Sequence, residues 1–258
     1  MATHIFEDVI FGPIKSRRLG VSLGVNLMPV NGKLCNFDCV YCECGWNGAN
    51  GGKLRHNSKA VVQEQLRERL TKMHADGDTL DVITFAGNGE PTLHPDFEEI
   101  IDSTISLRNE LFPEAKVAVL SNATRVNNSS VRSALEKVDR AILKIDSASE
   151  NTINLVNQPQ FKYSLRAVID SIKQFKGEVI IQTMFLKGES GGEKIDNTSE
   201  IEVAEWLKVL EELQPALVMI YSLDRDTPLD TLIKVNIDEL NAIAEKVRNL
   251  GIECSAAG

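Results

Sequence analysis

Six short apolar runs alternate with segments of helical periodicity along this chain of 258 residues. The runs are rich in Val and Ile, which is typical of strands that are buried on both faces. Alternating strands and helices predict an α/β fold with a parallel sheet and right-handed crossovers. Six such units are too few for an eight-stranded barrel, so we expect a partial (βα)6 barrel with parallel strands. The predicted strands are 21–27, 81–85, 116–120, 141–145, 178–185 and 216–221.

Four of the intervening segments carry apolar residues at helical spacing. Ser58 is placed to cap the first helix, and Pro95 lies near the start of the second. Ser164 is predicted to open the third helix. The apolar positions of the last helix begin at Ile237, and Gly251 is a suitable residue to end it.

No internal repeat and no interdomain linker divides the sequence, and its length suits one large α/β domain. We therefore expect a single domain over residues 1–258, with an N-terminal arm at 1–20 and a loop with its extension at 35–57. Two stretches, 45–57 and 188–199, are rich in glycine and polar residues and are predicted to be loops. The second is either a lid over a site at the strand ends or a solvated surface loop.

Cellular location and redox state are indicated by the composition. No run of about 18 apolar residues would span a membrane, and the first residues lack the basic and apolar regions of a signal peptide. We therefore expect a cytoplasmic protein with no membrane partner. Three of its five cysteines fall within eight residues, which favours a metal site in a reducing compartment over a disulfide framework.

Charge is distributed unevenly along the chain, whose formal net charge is −9. Residues 1–60 hold seven Lys and Arg against four Asp and Glu, whereas the remaining residues hold 21 against 33. The acidic bulk argues against a general nucleic-acid binder, but a small basic mouth would suit an anionic substrate. The alternative is a solvated basic face that forms ion pairs with acidic helices. The basic residues concerned are Lys15, Arg17, Arg18, Lys53, Arg55 and Lys59.

The strongest chemical signal is a C-x3-C-x2-C run formed by Cys35, Cys39 and Cys42. Closely spaced thiolates are the ligands of iron–sulfur clusters, and three of them leave one iron of a four-iron cluster without a protein ligand. An open coordination position suits catalysis. The alternative is structural zinc on these three residues and Cys44, although the spacing differs from that of paired C-x2-C knuckles.

A second signal, Phe85-Ala86-Gly87-Asn88-Gly89-Glu90-Pro91-Thr92, follows the second predicted strand. Glycines allow a ligand to approach the backbone, and Glu90 supplies an acceptor for a cationic amine. An ordinary strand-to-helix connection is the alternative interpretation of such a turn.

The cysteine run resembles the cluster motif of the radical S-adenosylmethionine (SAM) superfamily. This resemblance implies one [4Fe-4S] cluster on Cys35, Cys39 and Cys42, with SAM bound at the open iron. It also implies an external one-electron reductant, such as flavodoxin or ferredoxin, as a partner. The expected activity is reductive cleavage of SAM to a 5′-deoxyadenosyl radical, which then abstracts hydrogen from a substrate.

The same resemblance implies which residues contact SAM. Tyr41 would lie against the adenine, and residues 87–90 look like the superfamily's G-G-E motif, which holds the methionine amine, with Asn88 where the first glycine usually stands. Polar residues at the ends of later strands, Lys144 and Thr183 among them, would contact SAM or substrate, or else cap helices and turns. The implied SAM contacts are Tyr41, Gly87, Asn88, Gly89, Glu90, Ser121, Asn122, Asp146, Gln182 and Tyr221.

Residues 11–20, 39–42 and 89–95 resemble the bacterial relatives of wyosine-tRNA synthetases. The members that modify tRNA use additional N-terminal cysteines for a second cluster, and no cysteine precedes Cys35 here. Only the chemistry and the fold are therefore carried over, and the substrate stays unassigned. An anionic nucleotide or RNA and a peptide or protein remain alternatives, as does the role of a glycyl-radical activase. The non-enzymatic alternative is a binding protein stabilised by zinc or by a cluster.

Overall fold

The computed structural model describes residues 4–16, 20–48 and 54–258. The strands are β1 (Ile10–Ser16), β2 (Gly20–Val25), β3 (Val82–Phe85), β4 (Lys116–Ser121), β5 (Arg140–Lys144), β6 (Val179–Met184), β7 (Leu186–Ser190), β8 (Glu193–Asp196), β9 (Leu217–Tyr221), β10 (Ile233–Lys234) and β11 (Cys254–Ala257). The helices are α1 (Lys59–Asp76), α2 (Phe97–Leu111), α3 (Ser129–Lys137), α4 (Glu150–Val156), α5 (Leu165–Ile172), α6 (Glu200–Leu213) and α7 (Ile237–Arg248). Within these residues no helix is long and apolar enough to cross a membrane.

Eight strands form the main sheet, in the order β1-β2-β3-β4-β5-β6-β9-β11. All neighbouring pairs from β2 to β11 are parallel, and β1 pairs antiparallel with β2. The parallel α/β architecture predicted from the sequence is confirmed. The sheet extends beyond the six predicted strands, because β11 adds a parallel strand at one edge and β1 an antiparallel strand at the other.

Side chains on each strand alternate between a helix-covered face and the inside of the curved sheet. On the outer face Leu23 and Phe85 pack in a core with residues of the surrounding helices, such as Ile100. A smaller apolar cluster lies on the inside of the barrel and contains Ala118 and Ile142. Burial of each large side chain of this kind contributes about 1.5–3 kcal/mol, so the sheet is a firm platform for the loops at its carboxyl edge.

The helix starts follow the predicted caps. The Ser58 hydroxyl accepts a hydrogen bond from the Val61 amide at the start of α1, and Ser164 accepts one from Ala167 at the start of α5. Such caps satisfy amide groups that have no partner within the helix. The end of α1 is marked by Gly77, which takes a left-handed conformation with φ +73°.

The prediction of a loop over residues 188–199 was wrong. Strands β7 and β8 form an antiparallel hairpin, and β10 joins it to complete a separate three-stranded sheet. Gly191 and Gly192 form the turn with φ values of +60° and +83°, as a tight hairpin with both central residues at positive φ requires. Because both hairpin strands carry charged side chains, their composition is that of a loop.

The predicted N-terminal arm is also partly regular, since residues Ile10–Ser16 form β1. In the other predicted loop, residues 45–48 and 54–57 contain neither helix nor strand. Three of the residues of the expected basic mouth, Arg17, Arg18 and Lys53, lie outside the described residues.

Candidate active site

A cavity of about 330 Å³ lies at the carboxyl ends of the parallel strands, where ligands bind in sheets of this kind. Its wall contains both sequence motifs, and it brings together eleven of the thirteen residues singled out from the sequence. Asn88 and Asp146 are the two that do not line it. The eleven are Cys35, Cys39, Tyr41, Cys42, Gly87, Gly89, Glu90, Ser121, Asn122, Gln182 and Tyr221.

Two of the cysteine sulfurs accept hydrogen bonds from nitrogen donors. The Phe37 amide donates to Cys35 Sγ at 3.4 Å, and Asn122 Nδ2 lies 3.8 Å from the same sulfur. Asn157 Nδ2 donates to Cys39 Sγ at 3.4 Å. Donors of this kind orient sulfur ligands and tune the reduction potential of iron–sulfur clusters.

The backbone around Cys35, Cys39 and Cys42, here called the cysteine loop, lies directly against the glycine motif, residues 87–90. The Leu34 amide donates to Asn88 O at 2.9 Å, and the Glu90 amide donates to Leu34 O at 3.3 Å. Gly89 has φ +143°, and a Cβ there would come within 1.9 Å of Leu34 O. The sequence suggested that this glycine lets a ligand approach the chain. In the structure the space is taken by the cysteine loop itself.

Glu90 is 3% exposed, and its carboxylate accepts hydrogen bonds on both oxygens. Oε1 accepts from Thr92 N at 3.0 Å, Thr92 Oγ1 at 2.5 Å and Ser121 Oγ at 2.9 Å, and Oε2 accepts from Asn122 N at 2.7 Å. Burial raises the pKa of Glu90, and these donors counteract part of that rise. The carboxylate is therefore held in one orientation at the cavity wall.

Asn88 was expected to contact SAM, but its side chain is fully buried and bonded within the protein. Oδ1 accepts from Phe6 N at 2.9 Å, and Nδ2 donates to Phe6 O at 2.8 Å and to Pro29 O at 2.7 Å. Both halves of the amide are thus used to hold the segment before β1. At this position the motif reflects a requirement of the backbone, and the Asn88 side chain stabilises the fold through its bonds to Phe6 and Pro29.

Behind the cavity wall a buried network connects the ends of β5 and β9 to the cysteine loop. The Tyr41 hydroxyl donates to Asp146, which also accepts from Asn157 Nδ2 at 2.7 Å. Lys144 Nζ donates to the Tyr221 hydroxyl at 3.0 Å and lies 5.0 Å from the centre of the Tyr41 ring. Although burial lowers the pKa of Lys144, Asp146 and Tyr221 raise it by more, so the lysine stays charged at the cavity wall.

A second buried cation, Lys33, lies on the cysteine side and was not singled out from the sequence. Its side chain is 2% exposed, and Nζ donates to Gly45 O at 2.8 Å and to Asp38 at 3.1 Å. Burial lowers the pKa of Lys33, yet the nearby Cys42 and the other two loop cysteines raise it above its usual value. A positive charge close to three thiolates reduces the cost of placing them together.

The donor set fits an iron–sulfur cluster. Burial raises the pKa of Cys35 and of Cys39, whereas a hydrogen bond with Cys44 lowers the pKa of Cys42. In the described parts of the chain no three His, Cys, Asp or Glu side chains converge as they would around a single metal ion. The cysteines of a four-iron cluster each bind a different iron, so three sulfurs spread along one wall suit such a cluster.

A second cavity of about 260 Å³ extends into the barrel and shares Phe6, Ala86, Leu120 and Gln182 with the first. Gln182 is 6% exposed, and within the described residues its side-chain amide makes no hydrogen bond. Because Gln182 lines both cavities, its amide is a candidate contact for a bound molecule.

The sequence pattern of the Radical SAM superfamily matches residues 32–201, which include both motifs. UPF0026 protein MJ1312 of Methanocaldococcus jannaschii is 32% identical over 207 residues, or 78% of this chain and 60% of the relative. UPF0026 protein slr1464 of Synechocystis sp. is 30% identical over 226 residues, or 85% and 77%. A Brachyspira hyodysenteriae protein named GTPase Obg is 28% identical over 236 residues, or 90% of this chain. The match covers only 32% of the length of that relative.

Solved structures share the fold at lower identity. A radical SAM methyltransferase from Sphaerobacter thermophilus superposes with a TM-score of 0.65 at 14% identity, covering 92% of this chain and 65% of the other. The structure of native anSMEcpe with bound AdoMet superposes with a TM-score of 0.59 at 14% identity, covering 91% of this chain and 63% of the other. Archaeal TYW1 gives 0.52 at 12% identity, covering 88% and 71%. At these identities the likeness is one of fold.

The chain belongs to the radical SAM superfamily and, within it, to the UPF0026 family. Membership of the superfamily implies SAM and an iron–sulfur cluster as cofactors. The UPF0026 names state no substrate, in agreement with the expectation that the substrate is unassigned.

Proposed function

We propose that this protein cleaves SAM reductively at one [4Fe-4S] cluster held by Cys35, Cys39 and Cys42. The observation that carries the proposal is one cavity lined by these three cysteines and by Glu90. When bound, the cluster and SAM supply the chemistry, in which one electron breaks a C–S bond of SAM and yields a 5′-deoxyadenosyl radical that takes hydrogen from the substrate.

The protein's own part begins with the cysteine wall. Phe37 and Asn157 donate hydrogen bonds to Cys35 and Cys39, which fixes the direction of both sulfurs. Lys33 compensates the negative charge of the thiolates from the buried side of the loop. These contacts offset part of the cost of burying thiolates at the three positions, as binding of an iron–sulfur cluster requires.

The part of the cavity wall that carries Glu90 is suited to the methionine end of SAM. Glu90 presents a rigid carboxylate that would bind the cationic amino group, and charge-assisted hydrogen bonds of this kind are the strong ones. The Tyr41 ring is held by Asp146 at the cavity wall and would pack against the adenine. Asp146 would thus act on SAM through Tyr41.

We place the substrate in the second cavity, inside the barrel. Lys15 lies at its wall and forms no ion pair within the described residues, and Arg225 at the same wall is paired with Glu43. These cations and the unpaired Gln182 amide would suit an anionic molecule with a hydrogen-bonding head, such as a nucleotide. Lys59, by contrast, is paired with Glu99 and gives no support to the prediction of a basic cavity entrance.

Anaerobic reconstitution with iron and sulfide, followed by dithionite reduction, tests the core of this proposal. Wild-type protein should convert SAM to 5′-deoxyadenosine, measured by liquid chromatography and mass spectrometry. Cys42→Ala should abolish the reaction. Reconstituted protein that holds about four irons per chain but leaves SAM intact would contradict the assignment.

The substrate class is tested with a small-molecule extract divided on an anion-exchange column. The retained anionic fraction should accelerate 5′-deoxyadenosine formation, and Lys15→Glu should weaken that acceleration. Lys246→Glu, an equal charge change on exposed α7, is the matched control. Acceleration by the unretained fraction, or the same loss in both variants, would contradict an anionic substrate.

A further inference from the structure

An aromatic cluster connects the cysteine loop to the protein surface. Phe37, between Cys35 and Cys39, is 4% exposed, and its ring centre lies 6.4 Å from that of Phe161 and 5.7 Å from that of Tyr163. Phe161 is 44% exposed. Large apolar side chains exposed to this extent mark interaction sites when they border a groove.

The segment that carries Phe161 covers the outer side of the cysteine loop. Asp38 N donates to Asn157 O at 3.0 Å, and Gln160 N donates to Asn36 O at 2.9 Å. Phe37 also forms an isolated bridge with Pro159. Residues 157 and 160 are therefore bonded directly to the backbone of the cysteine loop, and the Phe161 ring lies beside that of Phe37.

A groove of about 290 Å³ lies beside this cluster and is lined by Thr124, Asn127, Phe161 and Lys162 among others. One bordering element, α5, carries Arg166 and Asp170, which pair with each other. The other two bordering segments, 122–132 and 157–164, contain three cations and no Asp or Glu, on a chain whose net charge is −9. The cations are Arg125, Arg132 and Lys162.

The acidic side chains of adjoining segments are engaged within the protein. Asp38 pairs with Lys33, and Glu150 accepts a hydrogen bond from the Leu165 amide. Arg125 and Lys162 are exposed and have no ion-pair partner in the part of the chain that the structure describes. The groove is thus a positive, partly aromatic patch on an acidic protein.

We propose that this patch, formed by Arg125, Phe161 and Lys162, is the docking surface for an acidic one-electron redox protein. In the docked complex the partner loses one electron and the iron–sulfur group on Cys35, Cys39 and Cys42 gains it, with no proton or bond transferred. Complementary charge accelerates association, and redox complexes use small interfaces of this kind. The assignment rests on the proposed function.

A purified reduced flavodoxin and sodium dithionite serve as two reductants for the same reconstituted protein. Stopped-flow bleaching of cluster absorbance should slow at least about fivefold with flavodoxin in Lys162→Glu and in Phe161→Ser. With dithionite both variants should match wild type. Lys246→Glu, with the same charge change on α7, should match wild type with either reductant.

Binding of flavodoxin, measured by calorimetry, gives a readout that does not depend on turnover. Lys162→Glu should weaken this binding, and added salt should weaken it in wild type because surface charges are screened. Unchanged flavodoxin binding and reduction in both patch variants, absence of flavodoxin binding to wild type, or an equal loss in Lys246→Glu would overturn the proposal. A protein that dithionite reduces but that leaves SAM intact would instead contradict only the proposed function.

Discussion

The hydroxyl of Tyr41 donates a hydrogen bond to the carboxylate of Asp146, although the two residues are 105 positions apart in the chain. The contact ties the cysteine loop to the end of β5. Asp146 also accepts from the Met184 amide at 2.8 Å, at the end of β6. One carboxylate thus fixes the position of an aromatic ring at the cavity wall relative to two strands of the sheet.

This relationship separates two roles of Tyr41. Tyr41→Phe removes the hydroxyl and keeps the ring, so it should lower the free energy of unfolding by about 1–2 kcal/mol while SAM binding stays near that of wild type. Tyr41→Ala removes the surface proposed for adenine and should weaken SAM binding strongly. Thermal unfolding and equilibrium dialysis with labelled SAM measure the two effects. Equal SAM binding by both variants would exclude the proposed adenine contact.

Iron content should distinguish the five cysteines. Cys39→Ala should lose the cluster, because the proposed ligand set has no spare thiol. Cys44 is predicted to be free or structural, and its sulfur lies 3.5 Å from Gly87 O. Cys44→Ala should therefore retain about four irons per chain and SAM cleavage, as should the control Cys254→Ala in β11. Loss of iron in Cys44→Ala would show a fourth ligand.

Glu90→Gln should weaken SAM binding and leave iron content unchanged. The substitution also replaces one acceptor oxygen by an amide NH2 group, and the Asn122 backbone amide, which donates to Oε2, cannot accept a hydrogen bond from it. We expect an additional loss of about 1–3 kcal/mol in stability for that reason. Iron analysis, SAM dialysis and thermal unfolding separate these effects. Parallel loss of iron and SAM would mean that Glu90 serves the cluster site.

Gly89→Ala should reduce cluster incorporation although all cysteines remain. A Cβ at this position would come within 1.9 Å of Leu34 O and displace the start of the cysteine loop. Gly77→Ala is the matched control, because Gly77 also has positive φ but no atom lies within 4 Å of its added Cβ. The control should cost about 1–3 kcal/mol in backbone strain with normal iron content. Iron per folded chain is the measurement.

Stability should depend on pH through Asp139, far from the cavity. Burial raises the pKa of Asp139, but the Val117 amide and the Arg108 guanidinium lower it by more, so the folded value is below the unfolded one. The contribution is therefore present above about pH 4 and is lost as pH falls through the folded pKa. Asp139→Asn should lose about 1 kcal/mol at pH 7.

The difference in thermal unfolding between wild type and Asp139→Asn should shrink below about pH 4. Lys116 lies 3.7 Å from the same carboxylate and is 54% exposed, so its contribution is screened by solvent and small. A difference that stays constant down to pH 3 would place the origin of the effect elsewhere.

Local patterns made most of the sheet and the helix caps predictable. Buried strands such as β5 and caps such as Ser58 depend on neighbouring residues alone. The two strands of the main sheet that were missed have unusual composition: β1 contains Gly12 and Pro13, and β11 consists of Cys, Ser and two Ala. Their pairing is decided by contacts with β2 and β9, which no local pattern contains.

The candidate site shows the same division. The cysteine run and Glu90 stand in short motifs and were found from spacing. Asn157 donates to Cys39 from 118 residues away, and no sequence signal marks it. Lys33 lies two positions before Cys35, but its burial against three thiols became evident only from the fold.

The bonds between Leu34 and the glycine motif have a consequence for how this family diversifies. Because main-chain atoms join the two loops, the spacing between the cysteines and Glu90 does not depend on which side chains surround them. Substitutions at Gln182, which borders both cavities, can therefore change the substrate side while these main-chain bonds stay in place. Relatives that act on other substrates are expected to differ on that side and to keep the main-chain bonds between residue 34 and residues 88–90.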